Sequence, residues 1–297
     1  MALPVPRRLE AAQGWGLVGV LAFSMSLPAT RAAVPAFGPV TVGIGRAVLA
    51  AVLAGAALWL ARAPRPTRAQ VRRLWLVVLG VVVGFPLLSS VALQAVGAAH
   101  GAVVVGLLPM GTAVCALARA GEWPRPAFWL AGGAGAVAVL AFAWSVGAGL
   151  RPADLLLLGA VAAGALGYAE GGALARELPG WQVIAWALVL ALPLTVPVSV
   201  VAVTVRPPVA PGAAAWSGLG YVAAVSMFLG FVAWYRGLAL GGVARIGQLQ
   251  LVQPVLTLIW SAALLAERVD APTVLAALAV LACTAATQSA GHGGRVP

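Results

Sequence analysis

Charged residues are scarce in this chain, and several residue types on which soluble proteins and enzymes depend are nearly absent. Only 8% of the 297 residues are charged and 62% are hydrophobic, too little charge to cover the surface of a water-soluble protein. Seven acidic residues and two histidines leave little material for a catalytic or metal-binding cluster. Two isolated cysteines, Cys115 and Cys283, define neither a disulfide nor a metal site. We expect an integral membrane protein without metal or cofactor.

Motifs for nucleotide and nucleic-acid binding are also missing. No GxxxxGK[ST] sequence occurs, so we do not expect the chain to hydrolyse ATP. All 18 basic residues are arginines, and most fall between apolar runs without a patch of interleaved exposed aromatic residues. Nucleic-acid binding is therefore not expected, despite the net charge of +11. The expected partners are the lipid bilayer and a small-molecule substrate, and homodimerisation stays open.

Hydrophobic runs long enough to cross a bilayer recur along the sequence. A membrane helix needs about 20 apolar residues, and stretches such as LWLVVLGVVVGFPLLSSVAL are apolar on every face, unlike the alternating strands of a barrel. Breaks at arginines, prolines and polar clusters predict an all-α integral membrane fold with ten transmembrane helices. Their predicted ranges are 11–29, 37–60, 74–93, 98–118, 127–146, 154–174, 182–204, 216–236, 244–265 and 271–290.

The ten predicted helices form two sets of five that repeat with an offset of 145 residues. Pro109 corresponds to Pro254 and Glu122 to Glu267, so each set has a proline followed 13 residues later by a glutamate. Because five is odd, the two sets must cross the membrane in opposite directions. Inverted repeats of this kind are typical of secondary transporters, whose substrate site lies between the halves near mid-membrane.

The repeat and the arginines together predict the domain organisation and the orientation. We expect residues 1–150 to form the first repeat and residues 151–297 the second. With the N-terminus inside, 13 arginines lie on the cytoplasmic side and four on the outer side, as the positive-inside rule requires. Both termini are therefore predicted to be cytoplasmic, in the cytoplasmic membrane. A signal peptide after Arg7 and Arg8 is the alternative, but its cleavage would remove the counterpart of helix 6.

Two long stretches carry a resemblance to a known family. They are GAAHGAVVVGLLPMGTAVCALARAGEWPRPAFWLAG and LALGGVARIGQLQLVQPVLTLIWSAALLAERVDAPTVLAAL, and GVLAFSMSLPATRAAV near the N-terminus is similar to the same family. The chain resembles the drug/metabolite transporter superfamily of the EamA type over essentially its whole length. The resemblance implies ten helices in two inverted repeats, export of small metabolites or drugs, often amino acids, and a cavity lined largely by helices 3, 4, 8 and 9. The second repeat departs from it by ending in AER, without the glycine found in GEW.

The segment QLQLVQPVLTLIWSAALLAER combines three glutamines with a proline inside an apolar run. Pro254 cannot donate to the carbonyl of residue 250, so helix 9 should bend there and leave a free acceptor, and Pro109 should bend helix 4. A static kink packed by neighbours is the alternative. Gln250 and Gln253 are three residues apart on similar faces, and we expect each either to bind substrate or to form hydrogen bonds with neighbouring helices. Gln248, two residues before Gln250, should point elsewhere.

Arg46 and Glu170 are charged residues in the interior of predicted spans. Arg46 either extends its side chain to the outer interface or anchors a carboxylate of the substrate, because guanidinium offers a bidentate fork. Glu170 is the candidate for proton coupling, since burial favours the neutral carboxyl. Its alternatives are pairing with Arg176 and exposure at the interface.

The remaining substrate-binding candidates are polar or aromatic residues near helix ends. Each has a structural alternative, such as helix packing for the histidine or a place in the interfacial aromatic belt for the tryptophan and its neighbouring tyrosine. The leading functional hypothesis is a secondary active transporter, not an enzyme, with a channel or a membrane enzyme of unknown chemistry as alternatives. The remaining substrate-binding candidates are Ser89, Gln94, His100, Tyr168, Trp234 and Tyr235.

Overall fold

The structure is a computed structural model that describes residues 5–120, 126–147, 150–242 and 246–291. Within these ranges the chain forms helices and turns and contains no strand. We number the helical segments α1 to α10. Their bounds are α1, Val5–Ser24 and Ser26–Phe37; α2, Thr41–Leu60; α3, Arg68–Ala92; α4, Ala98–Val105 and Leu108–Ala120; α5, Pro126–Gly147; α6, Pro152–Leu174; α7, Gly180–Val205; α8, Ala213–Gly241; α9, Gln248–Val252 and Gln253–Leu265; and α10, Ala271–Gly291.

Seven of these segments are long and apolar enough to cross a membrane, namely α1 to α4 and α6 to α8. The apolar parts of α5, α9 and α10 are shorter, at 10–17 residues. The predicted all-helical, multi-pass membrane architecture is therefore confirmed. Ten crossings, and the inversion of one half relative to the other, stay predictions.

Polar side chains mark the beginning of two helices. At α3 the hydroxyl of Thr67 accepts the backbone N–H of Gln70 (3.3 Å), and the Gln70 side-chain oxygen accepts the backbone N–H of Thr67 (3.0 Å). At α10 the carboxylate of Asp270 accepts both the backbone N–H (3.0 Å) and the hydroxyl of Thr273. These two bonds lower the pKa of Asp270 below its ordinary value. Each motif satisfies N–H groups that would otherwise lack partners at a helix start.

The helices pack in pairs that join the two halves of the chain. The main contacts between the halves are α1 with α8, α3 with α6, α2 with α7, α5 with α10 and α4 with α6, followed by α1 with α9 and α4 with α9. When every helix number is shifted by five, each pair becomes a pair of the same set; α1 with α8, for example, becomes α6 with α3. Two related halves are expected to show this pattern. Glycines allow the closest approaches: a Cβ at Gly237 would lie 2.9 Å from the nitrogen of Gly16, and one at Gly80 would lie 2.8 Å from the Cα of Gly167.

Candidate functional site

Five aromatic side chains from α1, α6 and α8 form a buried group, which we call the aromatic cluster. Each is 6% exposed or less, and ring centroids in contact lie 4.8–6.2 Å apart. The three residues from α8 are spaced by three and four positions and so share one helix face. The cluster consists of Phe23, Tyr168, Phe231, Trp234 and Tyr235.

Polar atoms of the aromatic cluster and its neighbour Gln250 are incompletely bonded. The hydroxyl of Tyr235 donates to the carbonyl of Gly167 (3.2 Å). By contrast, the indole N–H of Trp234 and both amide atoms of Gln250 are buried without a hydrogen-bond partner among the described residues. The Gln250 amide lies beside the hydroxyl of Tyr168 but does not reach hydrogen-bond geometry. A buried polar group without a partner costs about 1–3 kcal/mol, so a polar group that bonded to these atoms would remove this cost.

Of the other two glutamines of α9, Gln248 and Gln253, only Gln253 has a side chain that the structure describes. Gln253 is 8% exposed, and its side-chain oxygen is buried without a partner in the described part of the chain. Its backbone carbonyl accepts the hydroxyl of Thr257 (3.0 Å), which also donates to the carbonyl of Ser24 in α1 (2.7 Å). The side chain of Gln248 lies outside the described residues. Gln253 thus extends the set of unpartnered amide atoms along α9.

Both helices that carry the repeated prolines are interrupted just before them. Pro109 is the second residue of the Leu108–Ala120 piece of α4, and Pro254 is the second residue of the Gln253–Leu265 piece of α9. In α9 the preceding residues form a 3₁₀ segment, in which the carbonyl of Gln250 accepts the backbone N–H of Gln253. The expectation that this carbonyl would be a free acceptor is therefore wrong. A tighter turn satisfies it, as 3₁₀ geometry allows.

Arg46 does not extend to the outer interface. It is 2% exposed, and its Nη2 donates to the carbonyl of Pro86 in α3 (3.0 Å) and to the hydroxyl of Ser90 (3.4 Å). The hydroxyl of Ser89 donates back to the carbonyl of Phe85 (2.6 Å), as serines in apolar helices commonly do. The arginine is therefore a buried cation held between α2 and α3.

The two substrate-binding candidates near the start of α4, Gln94 and His100, have different surroundings from the aromatic cluster. His100 Nε2 lies 2.5 Å from Asp154 Oδ1, which joins α4 to α6, and Asp154 is only 1% exposed. Gln94 is exposed in the turn before α4. Glu267, in the turn after α9, accepts the backbone N–H groups of Ala98 and Ala99, both at 2.9 Å. Its carboxylate thus caps a helix of the other half, where a helix N-terminus favours negative charge.

The ion pair that the structure describes for Glu170 is with Arg73 of α3, whereas the sequence offered Arg176 as its partner. Its carboxylate lies 2.5 Å from Arg73 Nε, and Arg73 Nη1 also pairs with Glu177 after α6. The side chain of Glu170 is 3% exposed, compared with 24% for Arg73 and 45% for Glu177. Glu170 is thus a buried carboxylate beside a cation, two residues beyond Tyr168 in the chain.

Sequence reasoning missed four residues of these clusters. Phe231 could have been found, because it shares a face with Trp234 and Tyr235 at helical spacing. The sequence holds no comparable signal for Phe23, Asp154 or Arg73, whose partners come from distant parts of the chain. Arg73, for example, lies 97 residues before Glu170.

A chain that crosses the membrane repeatedly and buries unpartnered polar groups between its helices has the arrangement of a membrane transporter. Comparison with known proteins agrees: the EamA-like transporter family matches residues 11–144 and 151–287. The chain belongs to this family, which confirms the resemblance seen in its two proline–glutamate stretches.

Two similar proteins extend this result. The chain is 46% identical over 282 residues to the uncharacterized transporter YdeK of Bacillus subtilis (strain 168), covering 94% of this chain and 98% of that protein. A solved crystal structure aligns with a TM-score of 0.63 and 20% identity, over 93% of this chain and 97% of its own. The second comparison shows a shared fold.

Proposed function

We propose that this protein exports a small metabolite, such as an amino acid or a related compound, or a drug, across the cytoplasmic membrane by alternating access. The observation that carries this proposal is the aromatic cluster, with the unpartnered indole N–H of Trp234 and amide of Gln250 beside it. Aromatic rings offer an apolar surface, and the amide offers both a donor and an acceptor. Such a site suits a solute that has one apolar part and one polar part.

The two interrupted helices support a mechanism for this transport. We propose that α4 and α9 bend at the breaks before Pro109 and Pro254, so that the two halves rock about the site and expose it to each side in turn. The arginine distribution supports placing both termini in the cytoplasm. The aromatic cluster would then be reached through the ends of α6, α8 and α9 on the cytoplasmic side.

Proton coupling through Glu170 is part of the proposal. Glu170 lies 2.5 Å from Arg73 Nε, and we propose that this pair separates when Glu170 takes up a proton during the transport cycle. Replacing Glu170 with Gln should abolish uphill transport driven by a proton gradient and spare downhill exchange. Unchanged uphill transport in this variant would exclude Glu170 as the proton carrier.

Counterflow in proteoliposomes tests the proposed function. Proteoliposomes that are loaded with one unlabelled solute are offered labelled amino acids, purine-like metabolites or lipophilic cations, with and without a pH gradient. Exchange of one class would establish carriage, and Gln250→Ala should reduce it about tenfold, because it removes one or two hydrogen bonds to the solute. Gln13→Ala, an exposed glutamine of α1, is the matched control. Folded protein that exchanges none of the three classes would contradict the proposal.

A further inference from the structure

Arg46 carries a positive charge inside the membrane-spanning part of α2. It is the sixth residue of the Thr41–Leu60 span, about 7–8 Å below the start of that helix at 1.5 Å per residue. Its side chain is 2% exposed. Charged residues at such positions usually face a partner or a cavity, and they commonly mark the path of a substrate or ion.

The contacts of Arg46 are with neutral groups. Nε donates to the carbonyl of Gly43 (3.4 Å), and Nη2 donates to the carbonyl of Pro86 and the hydroxyl of Ser90. In the part of the chain that the structure describes, no carboxylate pairs with Arg46, and Nη1 has no hydrogen-bond acceptor. One end of the guanidinium is therefore held by backbone, while the other end has its N–H groups available.

The local backbone positions this guanidinium. Arg46 follows the π-helical segment Thr41–Gly45, and π-helical turns are frequent at functional sites. A Cβ at Gly43 would lie 2.9 Å from the Cα of Leu87 and 3.0 Å from the carbonyl oxygen of Pro86. Only glycine permits this approach of α2 to α3, which brings the Pro86 carbonyl within reach of the arginine.

Ser90 completes a pair of donors. Its hydroxyl oxygen accepts from Arg46 Nη2 at 3.4 Å, so its proton is directed elsewhere and finds no acceptor in the described ranges. An oxyanion next to the guanidinium could accept from Nη1 and from this hydroxyl together. Charge-assisted bonds of this kind are about twice as strong as neutral ones, and arginine favours two-point recognition of a carboxylate.

We propose that Arg46 and Ser90 bind the carboxylate of the transported solute, so that the substrate is a small organic acid or a zwitterion such as an amino acid. A monovalent anion fits a single arginine, whereas a phosphate dianion would call for more than one cation. The inference rests on the proposed transport function and names its substrate class. The α2 segment that begins at Arg46 also packs on the Tyr221–Leu229 part of α8, just before the aromatic cluster.

Paired analogues test this inference in the counterflow assay. Each exchanged amino acid is compared with its amide and its methyl ester, which keep the side chain and lose the negative charge. The acid should compete well and both neutral analogues poorly. Arg46→Gln should raise the half-saturating concentration of the acid about 10- to 150-fold, the value of a hydrogen bond to a charged group, and should not change competition by the amide. Arg46→Lys should recover part of the loss.

Control variants and a binding measurement separate the outcomes. Arg268→Gln changes an exposed arginine at the outer end of α9 and should leave the acid's half-saturating concentration unchanged. Thermal stabilisation of the solubilised protein by the acid gives a readout independent of transport. Arg46→Gln should reduce this stabilisation more than Arg46→Lys. Exchange without preference for the acid, or equal stabilisation by chloride, would overturn the inference while leaving the transport proposal standing. Absence of both exchange and stabilisation would overturn both.

Discussion

The ion pair between Arg73 and Glu170 should show an asymmetry between its two single substitutions. The two charge centres are about 4 Å apart, which corresponds to about 4 kcal/mol at an effective dielectric constant of about 20. Arg73 is 24% exposed, so solvent screens part of this attraction. We therefore estimate about 3 kcal/mol for the attraction within the pair. Each single substitution removes this attraction, and the two costs should differ because the two side chains differ in burial.

The asymmetry follows from burial. Arg73→Gln removes the cation beside a carboxylate that is 3% exposed, and should lower the free energy of unfolding by about 3–5 kcal/mol. Glu170→Gln leaves an arginine that still contacts Glu177 and solvent, so its cost should be about 1–2 kcal/mol. The double variant should cost less than the sum of the two, because both single substitutions remove the same attraction between Arg73 and Glu170.

Unfolding of the detergent-solubilised protein, followed by tryptophan fluorescence and circular dichroism, measures these values. The neighbouring Arg72→Gln is the matched control, since Arg72 is exposed on the same helix and should change the free energy of unfolding by less than about 0.5 kcal/mol. The reasoning would be refuted by equal costs for the substitutions at Arg73 and Glu170. A coupling energy below about 0.5 kcal/mol in the double-mutant cycle would also refute it.

Two further predictions concern close contacts between helices. Gly171→Ala would place a methyl group against the hydroxyl of Tyr235, so it should displace that ring and reduce solute exchange in the counterflow assay. The control Gly55→Ala should leave exchange unchanged, because a Cβ at Gly55 meets no atom of the described residues within 4 Å. Glu267→Ala removes both acceptors from the first turn of α4 and should lower the free energy of unfolding by about 1–2 kcal/mol, with Glu267→Gln less severe. Equal unfolding free energies for the wild type and Glu267→Ala would contradict the capping role.

The sequence predicted the membrane class, the approximate helix ranges and the family. Four of the substrate-binding candidates, Tyr168, Trp234, Tyr235 and Gln250, lie together in the structure, and their role in binding stays a prediction. Gln94 shows the limit of this reasoning, because a polar residue near a helix end looks the same in sequence whether it is buried or exposed. The same limit applies to Arg46, for which the sequence left two environments open.

Hydrophobicity by itself determined that this chain enters a membrane as helices, because the transfer of an apolar segment into lipid depends on the residues of that segment alone. Proline likewise interrupts a helix through its own ring and missing N–H, so the breaks before Pro109 and Pro254 are encoded locally. The neighbours of Arg46, Glu170 and Glu267 were decided only by tertiary structure. Their contacts depend on which helices pack together across tens to hundreds of residues, and small residues such as Gly43 fix how closely those helices approach.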